Sequence, residues 1–366
     1  MKVHDITRVL EAFAPIDYQE SYDNSGMQVG DPGVEVTGCL LTLDVTSHVL
    51  DEALSRGCNL VIAHHPVIFS GLKRLTGSNY VQRIVQKAIK NDIAIYACHT
   101  NIDNMRGGVN AKIAEKLGLR ETTILSLMKD SLRKLYTFAP IQHADRVREA
   151  LFAAGAGDIG RYRECSFNTA GQGTFRPQAD ANPAIGQAGG PREMVEEVKI
   201  EVLVQRDREA RVLKALFENH PYEEVAYEFI GLHNPNQEMG AGMLGILPEP
   251  VSEMDFLAQV KDKMGAKCIK YTELRGKTIR KVAVCGGSGS FLLREAIGAG
   301  ADIFITSDFK YHQFFDAEGR IVIADIGHYE TEQFTPELFL DILKEKFPNF
   351  AFLLSNTSTN PVKYFY

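Results

Sequence analysis

The sequence Leu60-Val61-Ile62-Ala63-His64-His65-Pro66 is an apolar run that ends abruptly in two histidines and a proline. The apolar residues predict a buried strand, because the run is too short for a stable helix. Side chains alternate along a strand, so neighbouring imidazoles face one pocket only if the backbone turns at once, and Pro66 supplies that turn. The pair indicates either the start of a metal site or a hydrogen-bonded surface turn.

The composition is typical of a globular protein without a membrane span. The chain has 366 residues, more than one ordinary core needs, so we expect two or more domains. No apolar run approaches the length of about 18 residues that spans a bilayer, and the first residues lack the apolar core of a signal peptide. We therefore expect a cytoplasmic protein.

Cysteine spacing and net charge exclude several functional classes. The six cysteines are scattered without C-x-x-C spacing, which predicts reduced core residues rather than disulfides or zinc ligands. A net charge of −7 without a basic run argues against nucleic acid as the main partner. An anionic pocket that binds metal is compatible with this charge.

The first part of the chain predicts strands alternating with helices. An amphipathic helix at residues 6–13 precedes a polar loop at 22–30, which either lines a pocket or is only a connection. Strands are predicted at 39–43, 60–63 and 93–98. This alternation indicates a sheet covered by helices, with ligands beyond the carboxyl ends of the strands.

The same pattern returns later in the sequence. Residues 51–65 align with residues 294–308, with apolar residues kept along the strand up to Ile62/Ile305 and with three identities: Glu52/Glu295, Ala53/Ala296 and Gly57/Gly300. Residues 93–95 likewise align with 321–323, and a histidine follows each within a few residues. We predict two related α/β halves in one domain, with strand ends facing a shared cleft. Chance similarity of two α/β units is the alternative.

Residues 128–235 differ from the segments around them. Strands are predicted at 135–138, 198–204 and 224–229, helices at 143–154 and 207–218, and a flexible glycine-rich loop at 168–190. The alternating strands indicate an antiparallel sheet with one solvated face, and the βαββαβ order is ferredoxin-like. We therefore predict an inserted α+β domain at 128–235 within a discontinuous α/β domain of residues 1–127 and 236–366.

Candidate metal ligands follow the strands of both halves. If the chain turns helical after the strand at 320–325, His328 and Glu332 lie on one helix face and Glu330 points away, with a second helix starting at Thr335-Pro336. Taken alone, an aspartate such as Asp103 is most often a turn former, and His328 could equally lie on a capped surface helix without binding a metal. Together they could hold two divalent ions, Zn, Fe or Mn, if one carboxylate bridges. The set is His64, His65, Asp103, His328 and Glu332.

Other strand ends carry weaker candidates. His99 and Asp308 either orient metal ligands, act as acid or base, or have a structural role, and His312 is weaker still. The run Gly286, Gly287, Ser288 and Gly289 follows an apolar stretch and is predicted to open a helix. It is either a phosphate cradle or a tight turn without a ligand. It lacks the full dinucleotide and P-loop patterns, which disfavours nicotinamide and ATP sites.

Five motifs together resemble the signatures of the Nif-three-like family, whose bacterial members are called GTP cyclohydrolase I type 2 homologues. The motifs are residues 23–30, 63–66, 99–103, 286–289 and 327–332. The resemblance implies a dinuclear metal site with His64, His65, Asp103 and His328 as ligands and Glu332 as the bridge. It also implies an insert similar to PII and CutA proteins, and a homohexamer built as a trimer of dimers.

The function that this resemblance implies is metal-dependent hydrolysis of a small-molecule substrate. Ring opening of a purine nucleotide such as GTP by metal-bound hydroxide is the first hypothesis. Phosphoester or amidohydrolase-type chemistry at the same metals is the alternative among enzymes. A metal-binding regulatory or scaffold protein, with an insert that senses a small molecule, is the alternative from another class. Deletion of residues 128–235 would spare turnover in an enzyme but abolish the response of a sensor.

Overall fold

A computed structural model describes residues 1–365 of the chain. The strands, in chain order, are β1 (Gly26–Val29), β2 (Cys39–Thr42), β3 (Leu60–Ala63), β4 (Ala94–Ala97), β5 (Arg120–Leu127), β6 (Leu132–Pro140), β7 (Ser166–Phe175), β8 (Glu193–Gln205), β9 (Tyr227–Leu232), β10 (Gly240–Ser252), β11 (Lys270–Tyr271), β12 (Thr278–Ser288), β13 (Ile303–Ser307), β14 (Val322–Asp325) and β15 (Phe352–Leu354). The α-helices are α1 (Val3–Phe13), α2 (Ser47–Ser55), α3 (Tyr80–Lys90), α4 (Thr100–Asp103), α5 (Val109–Leu117), α6 (Ile141–Ala153), α7 (Glu209–Asn219), α8 (Glu253–Lys263), α9 (Leu293–Gly298), α10 (His328–Glu332) and α11 (Thr335–Lys346). Short 3-10 helices lie at Ile16–Tyr18, Arg206–Arg208, Ser290–Leu292 and Tyr311–Ala317.

Local sequence signals set the ends of several helices. The side chain of Thr46 accepts a hydrogen bond from the backbone at the start of α2, and Asn79 does the same for α3. Helix α5 ends at Gly118, which adopts a left-handed φ of 78°. Pro336 lies in the first turn of α11, as predicted from the Thr335-Pro336 pair. Within residues 1–365, no helix combines the length and apolar character needed to cross a bilayer.

The chain divides into two compact units. The first joins Met1–Leu127 with the segment from Gln237 onward, and the second is Met128–Asn236. The first unit contains two sheets, with strand orders β1-β4-β3-β2-β15 and β11-β14-β13-β12-β10-β5. Each sheet contains a trio of neighbouring parallel strands, β2-β3-β4 in one and β12-β13-β14 in the other, and in the first sheet β15 continues the parallel set beside β2. An antiparallel strand borders each trio, β1 beside β4 and β11 beside β14.

One apolar core lies between the two sheets of the first unit. It takes Ile62 and Tyr96 from the first sheet, Val284 and Ile305 from the second, and side chains from α1, α5, α8 and α11. The outer face of the first sheet has its own core with α2 and α3, and the outer face of the second has one with α9. The parallel strands are therefore buried on both faces, which explains their continuous apolar runs.

Residues 22–30 correct one expectation, because they contain a strand rather than only a loop. Strand β1 pairs antiparallel with β4 at the edge of the first sheet. Gly30 has a φ of 103°, and a Cβ there would lie 2.8 Å from the Cα of Ala94. Glycine is thus needed for the close approach of two backbones, and it also weakens the apolar pattern by which a strand is recognised.

The second unit has the element order β6, α6, β7, β8, α7, β9 and one antiparallel sheet ordered β7-β8-β6-β9. Its core is formed by β6 and β8 with the two helices. The flexible loop expected at 168–190 is partly wrong, because β7 pairs with β8 from Ser166 to Phe175. Most of β7 is exposed, so backbone pairing forms the strand without an apolar alternation. The likeness of this unit to PII and CutA proteins stays a prediction.

Candidate metal centre

The two histidines after β3 face the same pocket because the chain leaves the sheet at once. The backbone N–H of His64 and that of His65 both donate to the carbonyl of Leu43, at 3.1 and 3.0 Å, so the residues form a bend beside the end of β2. Their ring centroids lie 4.8 Å apart. The turn predicted from Pro66 is confirmed.

The other predicted ligands are carried by two short helices at neighbouring strand ends. Asp103 is the last residue of α4, which follows β4, and its Oδ1 lies 3.6 Å from Nε2 of His64. His328 and Glu332 begin and end α10, which follows β14. Nε2 of His328 lies 3.0 Å from Oε2 of Glu332, as expected for residues one helical turn apart.

Glu332 lies at the centre of the group and is only 3% exposed. Its Oε2 is 3.0 Å from Nε2 of His65, and its Oε1 is 3.6 Å from Nε2 of His64. Two sets of potential ligands share this carboxylate: His64 with Asp103, and His65 with His328. The five residues predicted as metal ligands are therefore brought together from both sheets.

Two buried atoms in this group have no hydrogen-bond partner. Nε2 of His64 and Oδ1 of Asp103 are inaccessible to solvent and make no hydrogen bond within the described chain. Buried polar atoms are nearly always paired, so a pair left unpaired and facing each other needs an explanation. An imidazole nitrogen and a carboxylate oxygen suit a divalent cation. The residues present thus fit a metal ion at this position.

The far nitrogen of each imidazole is held by a partner that points Nε2 into the group. Nδ1 of His64 donates to the carbonyl of Cys98 at 3.0 Å. Nδ1 of His65 donates to Asp44 at 2.7 Å, and Nδ1 of His328 donates to Asp308 at 2.6 Å. This arrangement is the one that fixes tautomer and ring orientation in metal-binding histidines. Asp308 orients a neighbouring imidazole, one of the two active roles considered for it.

Burial and hydrogen bonds shift the pKa values of the three imidazoles in this group. Burial alone would lower the pKa of His65 and His328, but hydrogen bonds to Asp44, Asp308 and Glu332 raise these pKa values to about 10 and about 11. Burial lowers the pKa of His64 to about 4, so its Nε2 offers a lone pair at neutral pH. Metal ions would displace the protons on His65 and His328.

The pKa values of Asp103 and Glu332 are shifted in opposite directions. Burial and the negative charge of Glu332 raise the pKa of Asp103 well above its usual range. Burial also opposes ionisation of Glu332, but the imidazoles of His64 and His328 hold its pKa well below the usual range. Two carboxyl groups that share one site cannot both ionise at low cost without a compensating positive charge.

His99 lies beside the group and is paired with Asp23, a partner not assigned to it from the sequence. Its Nδ1 donates to Asp23 at 2.7 Å, and its ring centroid is 5.2 Å from that of His64. Asp23 also accepts hydrogen bonds from the backbone and hydroxyl of Thr100, so the pair is held firmly. His312 lies on the 3-10 helix at Tyr311–Ala317, where its ring contacts Tyr311.

A cavity of about 940 Å³ lies against this group, with His65, His99 and His328 in its wall, and the wall is strongly acidic. Its carboxylates are Glu20, Asp44, Asp103, Asp308, Asp325, Glu330 and Glu332. Among the described residues of this wall, Lys270 is the one lysine or arginine, and it pairs with Asp325 at 2.6 Å. Tyr22, Phe69 and Phe291 add exposed aromatic rings. Such a cavity attracts cations and offers flat surfaces for a ring.

The sequence as a whole places the chain among known proteins. A model of the family described as Duf34/NIF3 (NGG1p interacting factor 3) matches residues 1–361. The chain belongs to the Duf34/NIF3 family. Two Duf34/NIF3-like relatives carry the name GTP cyclohydrolase 1 type 2 homolog. The Halalkalibacterium halodurans protein is 38% identical over 361 residues, 97% of each chain. The Bacillus subtilis protein is 37% identical over 362 residues, 97% of this chain and 96% of its own.

A solved structure agrees with the Duf34/NIF3 assignment. The crystal structure of a Bacillus cereus protein related to NIF3 is 37% identical in sequence and superposes with a TM-score of 0.83. The match covers 100% of this chain and 99% of the other. The resemblance to the Nif-three-like family predicted from the five motifs is therefore confirmed.

The glycine-rich run of this Duf34/NIF3 protein belongs partly to a strand. Residues 286–288 end strand β12, and the predicted helix follows, with a 3-10 turn at Ser290–Leu292 that leads directly into α9. The N–H of Gly286 donates to Asn110 and that of Gly287 to Thr331, so both are already paired. A Cβ on Gly287 would lie 2.4 Å from Oε1 of Glu332. These glycines let the strand approach the central carboxylate, and phosphate binding by Gly286, Gly287, Ser288 and Gly289 stays a prediction.

Sequence reasoning missed Asp44 and Asp23 in the Duf34/NIF3 site. Asp44 follows β2 by two residues, so the rule that pointed to the ends of β3 and β4 would also have found it. Asp23 lies 76 residues from His99 in sequence and precedes an irregular edge strand. It opens the motif at residues 23–30, but its residue type and position alone do not distinguish a partner of His99 from an ordinary turn aspartate.

Proposed function

We propose that this Duf34/NIF3 protein is a hydrolase that depends on two divalent metal ions. The observation that carries the proposal is the pair of ligand sets that share Glu332, with two inaccessible atoms that lack a partner. His64, Asp103 and Glu332 would hold one ion, and His65, His328 and Glu332 the other. Nitrogen and oxygen ligands without thiolate suit Zn, Fe or Mn.

Divalent ions at such a site polarise substrate oxygen atoms and lower the pKa of water toward neutrality, which is the chemistry of hydrolysis. The chain supplies the remaining functions. Asp44 and Asp308 keep His65 and His328 oriented, with distances of 2.7 and 2.6 Å. His99 has one nitrogen bound to Asp23 and a second available for proton transfer at the edge of the cavity, which suits a general acid or base.

The wall of the cavity favours a substrate that contains a flat ring. Tyr22 and Phe69 have ring centroids 6.3 Å apart, and Phe69 lies 6.4 Å from His99. Phosphate groups would meet one lysine among many carboxylates, so they would have to lie near the metal ions rather than on basic side chains. The names of the relatives make GTP the first substrate to test.

We expect metal-loaded protein to release formate from GTP, and we expect His65→Ala and Glu332→Ala to release it at background rate. His65→Ala removes an imidazole ligand, and Glu332→Ala removes the carboxylate shared by both ligand sets. Formate release is measured after loading with Zn²⁺, Fe²⁺ or Mn²⁺ in separate reactions. His312→Ala is the matched control and should keep the wild-type rate, because its ring lies on an exposed 3-10 helix.

Comparing GTP with a phosphodiester as substrates separates ring opening from phosphoester hydrolysis. Absence of formate with all three metals would remove ring opening while leaving the metal site in place. Turnover of a phosphodiester by the same preparations, lost in the same two variants, would assign phosphoesterase chemistry to the metal pair.

A further inference from the structure

A segment without regular secondary structure follows β15 and lies against the metal site. We call residues 355–364 the clasp. Strand β15 runs parallel to β2, so the clasp starts beside the strand end that carries Asp44. Its first residues are anchored on Glu52 of α2, which accepts hydrogen bonds from the hydroxyls of Ser355 and Thr357. Asn360, Pro361, Val362 and Tyr364 then form part of the cavity wall.

Thr359 connects the clasp to His65, a proposed metal ligand, through the carboxylate of Asp44. Its hydroxyl donates to Oδ2 of Asp44, and the other oxygen of this carboxylate accepts from Nδ1 of His65 at 2.7 Å. Asp44 is thus held at both oxygens. A carboxylate fixed in this way allows an imidazole little rotation, and partners of this kind strongly influence metal affinity.

Asn360, the next residue, connects the clasp to the second sheet. Its Nδ2 donates to Oε1 of Glu330 at 3.1 Å. Glu330 is 4% exposed and lies in α10 between His328 and Glu332. Glu330 belongs to neither ligand set, in line with the expectation that it points away from them, and its carboxylate faces the clasp. The same carboxylate lies against Gly327, where a Cβ would be 2.2 Å from Oε2, so only glycine fits at the entrance to α10.

We infer that Thr359 and Asn360 are positioning residues. They fix the metal ligands that follow the first sheet relative to those that follow the second. Thr359 binds Asp44, the carboxylate that orients His65. Asn360, the next residue, binds Glu330 in the helix that carries His328 and Glu332. The inference rests on the proposed function, since it concerns residues that support the ligands of the two proposed ions. Removing the hydroxyl of Thr359 frees Asp44 and therefore affects the ion at His65 and His328. The ion at His64 and Asp103 is spared, because His64 is oriented by the carbonyl of Cys98.

Calorimetric titration of metal-free protein with Mn²⁺ tests this inference. We expect wild type to bind two ions in separate steps, and Thr359→Val to weaken one step by about tenfold, the lower end of the 10–100-fold effect of residues that support ligands. Thr359→Ser keeps the hydroxyl and should restore the affinity. Thr37→Val is the matched control, because Thr37 is exposed and its hydroxyl donates to the carbonyl of Gly57 far from the cavity wall.

A second measurement separates positioning from loss of structure. The thermal midpoint of each metal-free variant should stay at the wild-type value. Two steps of unchanged affinity in Thr359→Val would overturn the clasp alone. Equal weakening of both steps together with a lower midpoint would also overturn it, because the hydroxyl would then be merely structural. A wild-type chain that binds no second ion would overturn the proposed function and the clasp with it.

Discussion

Glu332→Ala is expected to reduce the metal content of purified protein to less than one divalent ion per chain, against the two that we propose for wild type. Glu332 is the one carboxylate shared by both ligand sets, and three imidazole nitrogens lie within 3.6 Å of its oxygens. Its loss should weaken binding by more than the 10–100-fold that supporting residues cost. Elemental analysis after dialysis measures the effect.

Two further variants make the metal-content result interpretable. Glu332→Gln keeps the shape of the side chain without its charge, and we expect it to lose metal as well while remaining folded. Glu337→Ala changes a carboxylate on α11 that pairs with Lys116 at the surface, and it should retain both ions. Two ions per chain in Glu332→Ala would contradict the shared-ligand account.

Asp103→Asn is expected to change stability and metal binding in opposite directions. In the metal-free protein its carboxyl is buried against Glu332, which raises its pKa, so ionisation is unfavourable. An amide of the same shape cannot ionise in either state, which removes the cost of keeping this carboxyl protonated in the fold, and we expect the thermal midpoint of the metal-free protein to rise by about 2–4 °C, or ~1 kcal/mol. The increase in midpoint on adding Mn²⁺ should be largely lost, because an ion loses an anionic ligand.

The gain in stability should depend on pH with a defined sign. A carboxyl with a raised pKa binds its proton more tightly in the folded state, so it destabilises the fold as pH rises above its usual value of about 3.9. The difference between Asp103→Asn and wild type should therefore vanish below about pH 3.9 and grow toward neutrality. Asp341→Asn is the control, because Asp341 pairs with Lys112 at the surface. A lower midpoint with unchanged metal response in Asp103→Asn would contradict the assignment.

The predicted site residues come together because their signal is local. Each lies at or just beyond the carboxyl end of a short apolar run, and parallel strands bring such ends to one edge of a sheet. His64 and His65 after β3 needed only the turn at Pro66. His328 and Glu332 needed only one helical turn, which α10 supplies.

The features that sequence reasoning missed depend on contacts between distant segments. Strand β7 is mostly exposed and forms through backbone pairing with β8, for which side-chain patterns carry no information. The role of Thr359 and Asn360 exists only once β15 lies beside β2. Gly287 reads as a turn residue and has a left-handed φ of 60°, but its closeness to Glu332, where a Cβ would lie 2.4 Å from Oε1, follows only from the fold. The hexamer and the cytoplasmic location stay predictions.

Anomalous diffraction from crystals of protein loaded with one metal, collected at that metal's absorption edge, tests the central claim most directly. We predict two peaks per chain, one contacting His64, Asp103 and Glu332 and the other contacting His65, His328 and Glu332. The absence of a peak at these residues, or a single ion that does not contact Glu332, would contradict the account.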